Sequence, residues 1–449
     1  MRRRRCCRSI GGARADVKYH LILKLRRGLE ADLEIPDWVS FINDKSVVIE
    51  HFEPGVDAVM REIGARFWLT REYRPAGPAG WSEDERLLGL SRTYRLIFQQ
   101  AYVLPPDLVS RVRRVASVED AHELKIGEAP LPPAEVSTQA SVGRRVGDLI
   151  QLPYARAVTK GDPAIRIAVL DTGVNLDHPE LRGRIVGRAD FVDLEGLDTT
   201  AFVGDVREYD DVPEDEVGHG THVSGIIAGL GVEMDEGVAP RCSIVAVRVL
   251  ATMRQGTRFY GAGIVDNINP AIKWAVDVGR ADVINMSLGI KHVGGALPHA
   301  DVIRYALSRN VAVVAASGND GKPERYYPGA LPGVIAVGAI DDQGRVASFT
   351  SYGANITCVA PGTGIYSSFA NRRYAYASGT SQASPFVAGG IGLLKSYARE
   401  QGGSLSNGQI TSIIRHTSDR VDSRLRNEHA GYGVLNLADA FKFLAHSMN

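Results

Sequence analysis

The run Tyr376–Leu394, YASGTSQASPFVAGGIGLL, constrains this chain more than any other stretch. Gly379, Thr380 and Ser381 precede an alanine- and glycine-rich apolar run of helical length. Small residues around Ser381 let another backbone come close, because glycine removes the side-chain obstacle. If Ser381 starts the helix, its hydroxyl sits at the positive end of the helix dipole beside unpaired backbone N–H groups. That position stabilises negative charge building on an attacked carbonyl. Pro385 fits the first turn, where its missing N–H costs little. An ordinary N-capping serine would read the same way in isolation. A lone serine is a poor nucleophile at neutral pH and needs a base, which in turn needs an orienting partner. The stretch therefore directs attention to a histidine and an acid in comparable settings.

Both are present. Ile165–Asp171 reads IRIAVLD, an apolar run with the make-up of a buried parallel strand, ending in Asp-Thr-Gly. An acid at the carboxyl end of such a strand lies where open α/β sheets place their sites. Val217–Gly229 reads VGHGTHVSGIIAG, with His219 just before another small-residue helix. DTG, HGTH and GTSxASP, in that order, resemble the subtilisin-like (subtilase) family of serine peptidases. The resemblance implies Ser381 as nucleophile, His219 as general base and Asp171 as the acid that orients His219. It leaves His222, in the same HGTH, and His178, in Asp177-His178-Pro179, with structural roles. It further implies that Asn319, in VVAASGND, supplies a side-chain N–H to an oxyanion hole. Ser287, Leu288 and Gly289 would pair with substrate backbone on one side, and Ala316, Ser317 and Gly318 on the other. Main-chain pairing of this kind accepts extended peptides of almost any sequence.

Composition bounds the alternatives. At 449 residues the chain is too long for one typical domain, and 44% hydrophobic with 23% charged residues is ordinary for a protein with a large core. Lys+Arg 52 against Asp+Glu 52 leaves no net charge, so nothing global argues for a nucleic-acid partner. No apolar run approaches the roughly 20 residues needed to span a bilayer. The N-terminus, MRRRRCCRSIGGARAD, is basic but has no apolar core behind it, so residues 1–16 read as a flexible tail; a cytoplasmic location is favoured, with secretion the open alternative. Cys6 and Cys7 are adjacent in that tail, while Cys242 and Cys358 lie in apolar surroundings and read as buried thiols.

Residues 17–126 are separate from these motifs. Val17–Leu25, Ser46–Phe52, Phe67–Tyr73 and Arg92–Phe98 read as strands. Pro54–Ala65, with Val56, Val59, Met60 and Ile63 on one face, and Pro105–Ala116 read as amphipathic helices. The pattern suggests a small α+β domain, which resembles the prodomain ahead of many subtilases and so implies an intramolecular inhibitor. Residues 127–147 read as a linker, the place for a maturation cut, with Arg144-Arg145 as a basic processing site within it. Residues 148–449 would form the peptidase domain. Its strands, expected at Ile165–Leu170, Ser243–Leu250, Val283–Ser287, Val311–Ala316 and Val334–Ile340, alternate with helices around Ile264–Val278 and Asp301–Arg309. The fold class is thus α/β: a parallel β-sheet with helices on both faces, preceded by the small α+β domain.

The resemblance implies a serine endopeptidase that acts on proteins or peptides through an acyl-enzyme and needs no cofactor for its chemistry, made as a self-processing proenzyme. A degradative enzyme, a dedicated processing peptidase and a non-catalytic binding protein on the same fold remain distinct readings. Gln382 stands where many relatives have Met, and Tyr326 falls near where the family's S1 pocket closes, with Asp320 and Arg325 at its rim. Structural calcium is the one metal the resemblance raises, around Glu180 and the loop with Glu233, Asp235 and Glu236. That loop departs from the family's ligand pattern, so no ligand is assigned.

Overall fold

The computed structural model describes residues 19–29, 34–124, 126–139, 146–193, 202–204, 209–256, 258–291 and 297–448. The basic tail and Arg144-Arg145 lie outside the described residues. Seven apolar runs form one parallel sheet, in the order Ile356–Pro361, Ile335–Ile340, Ala312–Ala316, Val283–Met286, Arg166–Asp171, Ser243–Arg248 and Ile185–Asp190. The inner strands are mostly apolar because both faces are covered, while the edge strand Ile185–Asp190 leaves Val186 and Arg188 exposed. Along Arg166–Asp171, Ile167 and Val169 enter one core and Ala168 and Leu170 the other. The first core holds the helices His219–Ala228 and Thr380–Glu400; the second holds Val265–Asp277 and Ala300–Ser308.

The helix Thr380–Glu400 is buried for almost its whole length, and its glycines explain how. A Cβ on Gly392 would lie 2.8 Å from Ile167 Cδ1, and one on Gly389 would lie 2.6 Å from Val238 Cβ. A real side chain at Gly392 would push the helix off the sheet, and one at Gly389 would push it off the bend that carries Val238. This brings the start of the helix, with Ser381, to the carboxyl ends of the central strands.

The N-terminal region forms a four-stranded antiparallel sheet, in the order Phe67–Arg71, Thr93–Phe98, His20–Leu25, Val118–Glu123. Val56 and Met60 of one helix, and Leu108 and Val112 of another, cover one face of it. The expected strand at Ser46–Phe52 is not formed. Val47 and Val48 are exposed, and what survives of a pairing is a bond from Leu69 N–H to Ile49 O (2.7 Å). The stretch 127–147, read as featureless, carries two short strands instead. Ile126–Pro130 pairs with Arg258–Ile264, and Ala134–Val136 pairs with Arg373–Ala377.

This region docks on the helices Val265–Asp277 and Ala300–Ser308. Tyr73, Trp81 and Leu90 belong to the same apolar cluster as Ile268, Ile272 and Val302. Buried charge pairs accompany them. Arg95 is held by Glu72 (2.8 Å) and donates to Asn267 Oδ1 (3.1 Å), while Lys273 meets Glu85 (2.6 Å). His122 bridges the two parts, with Asp120 at 3.2 Å on its own strand and Asp266 at 2.9 Å opposite. Burial disfavours its charged form, but the two carboxylates outweigh that and raise its pKa to about 10. A raised histidine stabilises the folded state fully below its ordinary value of about 6.5 and loses that contribution as pH climbs towards 10. The difference in Tm between wild type and His122→Gln should therefore be largest near pH 6 and shrink steadily towards pH 10. Thermal melts across that range measure it, and a gap that widens with pH would contradict the assignment.

Candidate active site

Asp171 ends the strand Arg166–Asp171 and is fully buried. His219 opens the helix His219–Ala228, and its Nδ1 lies 2.6 Å from Asp171 Oδ1. The backbone N–H of Thr172 donates to the same oxygen (2.7 Å). Glycine makes this approach possible: a Cβ on Gly220 would sit 2.1 Å from Gly173 O and 3.1 Å from Asp171 Cβ. Burial works against the imidazolium of His219, and the facing carboxylate of Asp171 reverses the balance, so its pKa is raised.

A second buried acid, Asp215, holds the start of this helix. It accepts from the N–H groups of Gly218 (2.8 Å) and Thr221 (2.9 Å) and from the Thr221 hydroxyl (2.6 Å), while Thr172 links it to the Asp171 turn (3.0 Å). Burial pushes its carboxyl up to about 6 against these hydrogen bonds, with the charge of Asp171 adding to the rise. Sequence analysis missed Asp215. The available signal was an acid four residues ahead of a helix start, where it meets unpaired N–H groups.

Ser381 is buried in the first turn of its helix, which packs against the His219 helix. Its hydroxyl donates to Ser287 O (3.0 Å), and His219 Nε2 has no protein partner among the described residues. Ser287 answers by donating from its own hydroxyl to Ser381 O (2.8 Å). Asn319 Oδ1 accepts from the Thr380 N–H (2.8 Å) and hydroxyl (2.9 Å). Since an amide N–H can only donate, this fixes the acceptor end of Asn319 on Thr380. Its Nδ2 lies on the Gly379 side, 3.4 Å from where a Cβ on Gly379 would be. Ser287, Leu288 and Gly289 follow the strand Val283–Met286, and Ala316, Ser317 and Gly318 end the neighbouring strand Ala312–Ala316. Gly318 N–H donates to the Thr380 hydroxyl (3.2 Å), so both segments border Ser381.

Asp171, His219, Ser381 and Asn319 thus lie at the ends of the central strands and on two helices that pack together, and the family of the chain follows from comparison with known proteins. Residues 162–433 match the Subtilase family. The chain belongs to that family. It is a subtilisin-like serine endopeptidase by membership. It is 39% identical over 295 residues to the thermophilic serine proteinase of Bacillus sp. (strain AK1), covering 65% of each chain. It is 38% identical over 274 residues to thermitase of Thermoactinomyces vulgaris, covering 61% of this chain and 87% of that one. Among solved structures it is similar to the prenylagaramide maturation protease PagA, with a TM-score of 0.53, 30% identity, and coverage of 66% of this chain and 98% of that one.

In this subtilase the cleft carries part of its own chain. Gly127–Ala129 pairs antiparallel with Gly261–Gly263, and on its other side lies Ile290–Lys291. Further along, Leu131 Cδ2 lies 3.2 Å from where a Cβ on Gly261 would be, and Pro132 Cγ lies 2.8 Å from the equivalent point on Gly379. Ala134–Val136 then continues along Arg373–Ala377, the strand that leads into Ser381. The role of Gly261–Gly263 was not read from the sequence, because three small residues carry no pattern of their own.

The remaining histidines are tied to backbone. His222 Nε2 lies 3.1 Å from both Ile365 O and Ala375 O, and burial lowers its pKa to about 4, keeping it neutral. His178 bridges Arg373 O (2.9 Å) and the Glu180 N–H (3.2 Å). The buried Glu180 accepts from the N–H groups of Gly231 (2.7 Å), Val232 (3.1 Å) and Glu233 (2.8 Å), and from the Tyr374 hydroxyl (3.2 Å). The loop thus turns hydrogens towards the carboxylate, a donor set that repels a cation, so calcium does not fit here. Glu236 is paired with Lys160 instead. A chelator should leave Tm unchanged through this loop. Glu180→Gln should destabilise the fold by about 2–4 kcal/mol, since it sets an amide NH2 among N–H donors. Thermal melts with and without chelator, on both proteins, measure the two effects.

Proposed function

We propose that this chain cleaves peptide bonds through Ser381, His219 and Asp171, and that it is made as a proenzyme held off by residues 126–136. The observation that carries this reading is the 2.6 Å contact of buried Asp171 with His219, at the start of a helix that packs against the one Ser381 opens. The Asp171 carboxylate keeps the proton of His219 on Nδ1, leaving Nε2 as the base. Rotation about the Ser381 side chain takes its hydroxyl from Ser287 O to His219 Nε2. His219 accepts the proton as Oγ attacks the carbonyl carbon, and the negative oxygen is met by Asn319 Nδ2–H and the Ser381 N–H, since the N–H groups of Thr380 and Gln382 are already bonded. His219 then gives the proton to the departing amine, and water repeats the sequence in reverse on the acyl-enzyme. An extended peptide would add a strand between Gly261–Gly263 and Ser287–Gly289, a mode that reads backbone before side chains.

The N-terminal region is proposed as inhibitor and folding partner. Its last strand leads straight into Ile126–Pro130, so the inhibiting segment is already ordered and loses little entropy in the cleft. The printed name of PagA, a maturation protease, describes a dedicated processing role, and a cleft lined for main-chain pairing also serves a degradative one. Profiling the cuts made in a random peptide library separates the two.

Ser381→Ala should fold, lose turnover by at least about 10³-fold, and escape labelling by a fluorophosphonate probe that labels wild type. Wild type should be found cut between Gly127 and Asp148 and the variant intact, as read by intact mass and N-terminal sequencing. Labelling of the variant, or a variant cut at the same place, contradicts the proposal. Asn319→Ala should reduce turnover by about 10²–10³, a figure that comes from the equivalent change in subtilisin, a member of this family.

A further inference from the structure

The carbonyl that Ser381 attacks must lie between its Oγ and Asn319 Nδ2. In the pose proposed above, the side chain on the acyl side of that carbonyl would lie between the segments Ser287–Gly289 and Ala316–Gly318 that border Ser381. Both segments end in glycine, so neither supplies a side chain to fill the gap. Tyr326 fills it. A Cβ on Gly318 would lie 2.3 Å from Tyr326 Cδ2 and 2.4 Å from Cε2, and a Cβ on Gly289 would lie 3.1 Å from Tyr326 Cβ. One aromatic side chain therefore touches both glycine walls.

We propose that Tyr326 closes the pocket for the residue on the acyl side of the cut bond, restricting this peptidase to substrates with Gly, Ala or Ser there. The inference rests on the functional reading above and adds the substrate class of that same site.

Tyr326 is held at both ends. Its backbone pairs with Lys291, and the next residue, Tyr327, is buried in the core and pairs with Ile290. Its hydroxyl donates to Asp320 Oδ2 (2.7 Å). Lys291 Nζ sits 5.4 Å from the ring centre and is ion-paired with Asp320 and Glu324. A ring clamped by a strand pairing, a hydrogen bond and a cation does not swing aside freely to admit a second ring. Tyr326 is half-buried and stands outside the apolar core that takes Tyr327, so packing the fold does not account for it. The chain's own cleft segment is consistent with this. Leu131 lies against Gly261, on the wall across from Gly289 and Gly318.

The test uses the purified protein after its own cleavage between Gly127 and Asp148, and its Tyr326→Gly variant treated the same way. Each digests a denatured protein mixture, with cut sites read by mass spectrometry. Each also cleaves two tetrapeptide anilides that differ only in Ala or Phe before the anilide. Wild type should cut after Gly, Ala and Ser and favour the Ala anilide in kcat/KM by at least about tenfold. Tyr326→Gly should raise the Phe-to-Ala ratio at least about tenfold and bring Phe, Tyr and Leu into the cut sites. A change confined to this ratio is not what a loss of folding produces. Wild type that cuts after Phe or Leu as readily as after Ala overturns the proposal, and that holds even where the variant does not fold. So does a folded variant with an unchanged ratio. Failure of the underlying peptidase reading looks different: neither anilide is cut, and a fluorophosphonate does not label Ser381.

Discussion

The contact between His219 and the buried carboxylate of Asp171 organises this molecule. A carboxylate with no solvent exposure is costly unless it is paired, and removing the partner of such a charge costs about 3–5 kcal/mol. The surroundings are arranged to meet that demand. Thr172 donates its N–H to the same oxygen, Gly220 lets the histidine helix close over the strand end, and Asp215 fixes where that helix begins. Each of these is a local feature, and together they leave His219 one orientation, with Nε2 turned away from the acid.

The serine side is built by different means. Its helix reaches the sheet centre because Gly392 removes the side chain that would hold it away from Ile167. Ser287 and Thr380 then lock its first turn to the two strand ends beside it. Apolar contact sets the distance of the helix, and hydrogen bonds set the rotation of its start. Non-directional burial cannot do the second task, since it does not distinguish orientations that bury equal area.

The N-terminal region extends the same logic outward. It shares an apolar cluster with the helices behind the sheet, and its buried ion pairs reach across to Asn267, Asp266 and Lys273. Buried pairs add little net stability over apolar packing but are strongly penalised when mismatched, which makes them a device for seating one surface in one register. That register delivers the strand Val118–Glu123 to the rim of the cleft and the segment after it to Gly261–Gly263.

Much of this was legible in the sequence. Five of the seven strands of the parallel sheet were expected from their apolar runs, while the two edge strands, Ile185–Asp190 and Ile356–Pro361, were not. Asp171, His219, Ser381 and Asn319 were singled out because each sits where a run of one period meets a short stretch of small or polar residues. The strand expected at Ser46–Phe52 failed because its valines, apolar in type, have no facing surface to cover. Asp215, the Glu180 cradle and the course of residues 126–136 were not legible, because each depends on partners distant in the chain. Glu180 shows this most clearly. Its residue type suggests a cation ligand, and only the fold reveals that the loop 231–233 turns its N–H groups inward. Tyr326 is intermediate, since the family resemblance singled it out while its contact with Gly289 and Gly318 came only from the fold. Sequence alone therefore determined which groups are candidates for the chemistry and which runs form the centre of the sheet, as residue type and periodicity are local properties. Tertiary structure decided which way each polar group faces and what fills each space, because hydrogen-bond direction and close packing exist only between segments brought together from afar.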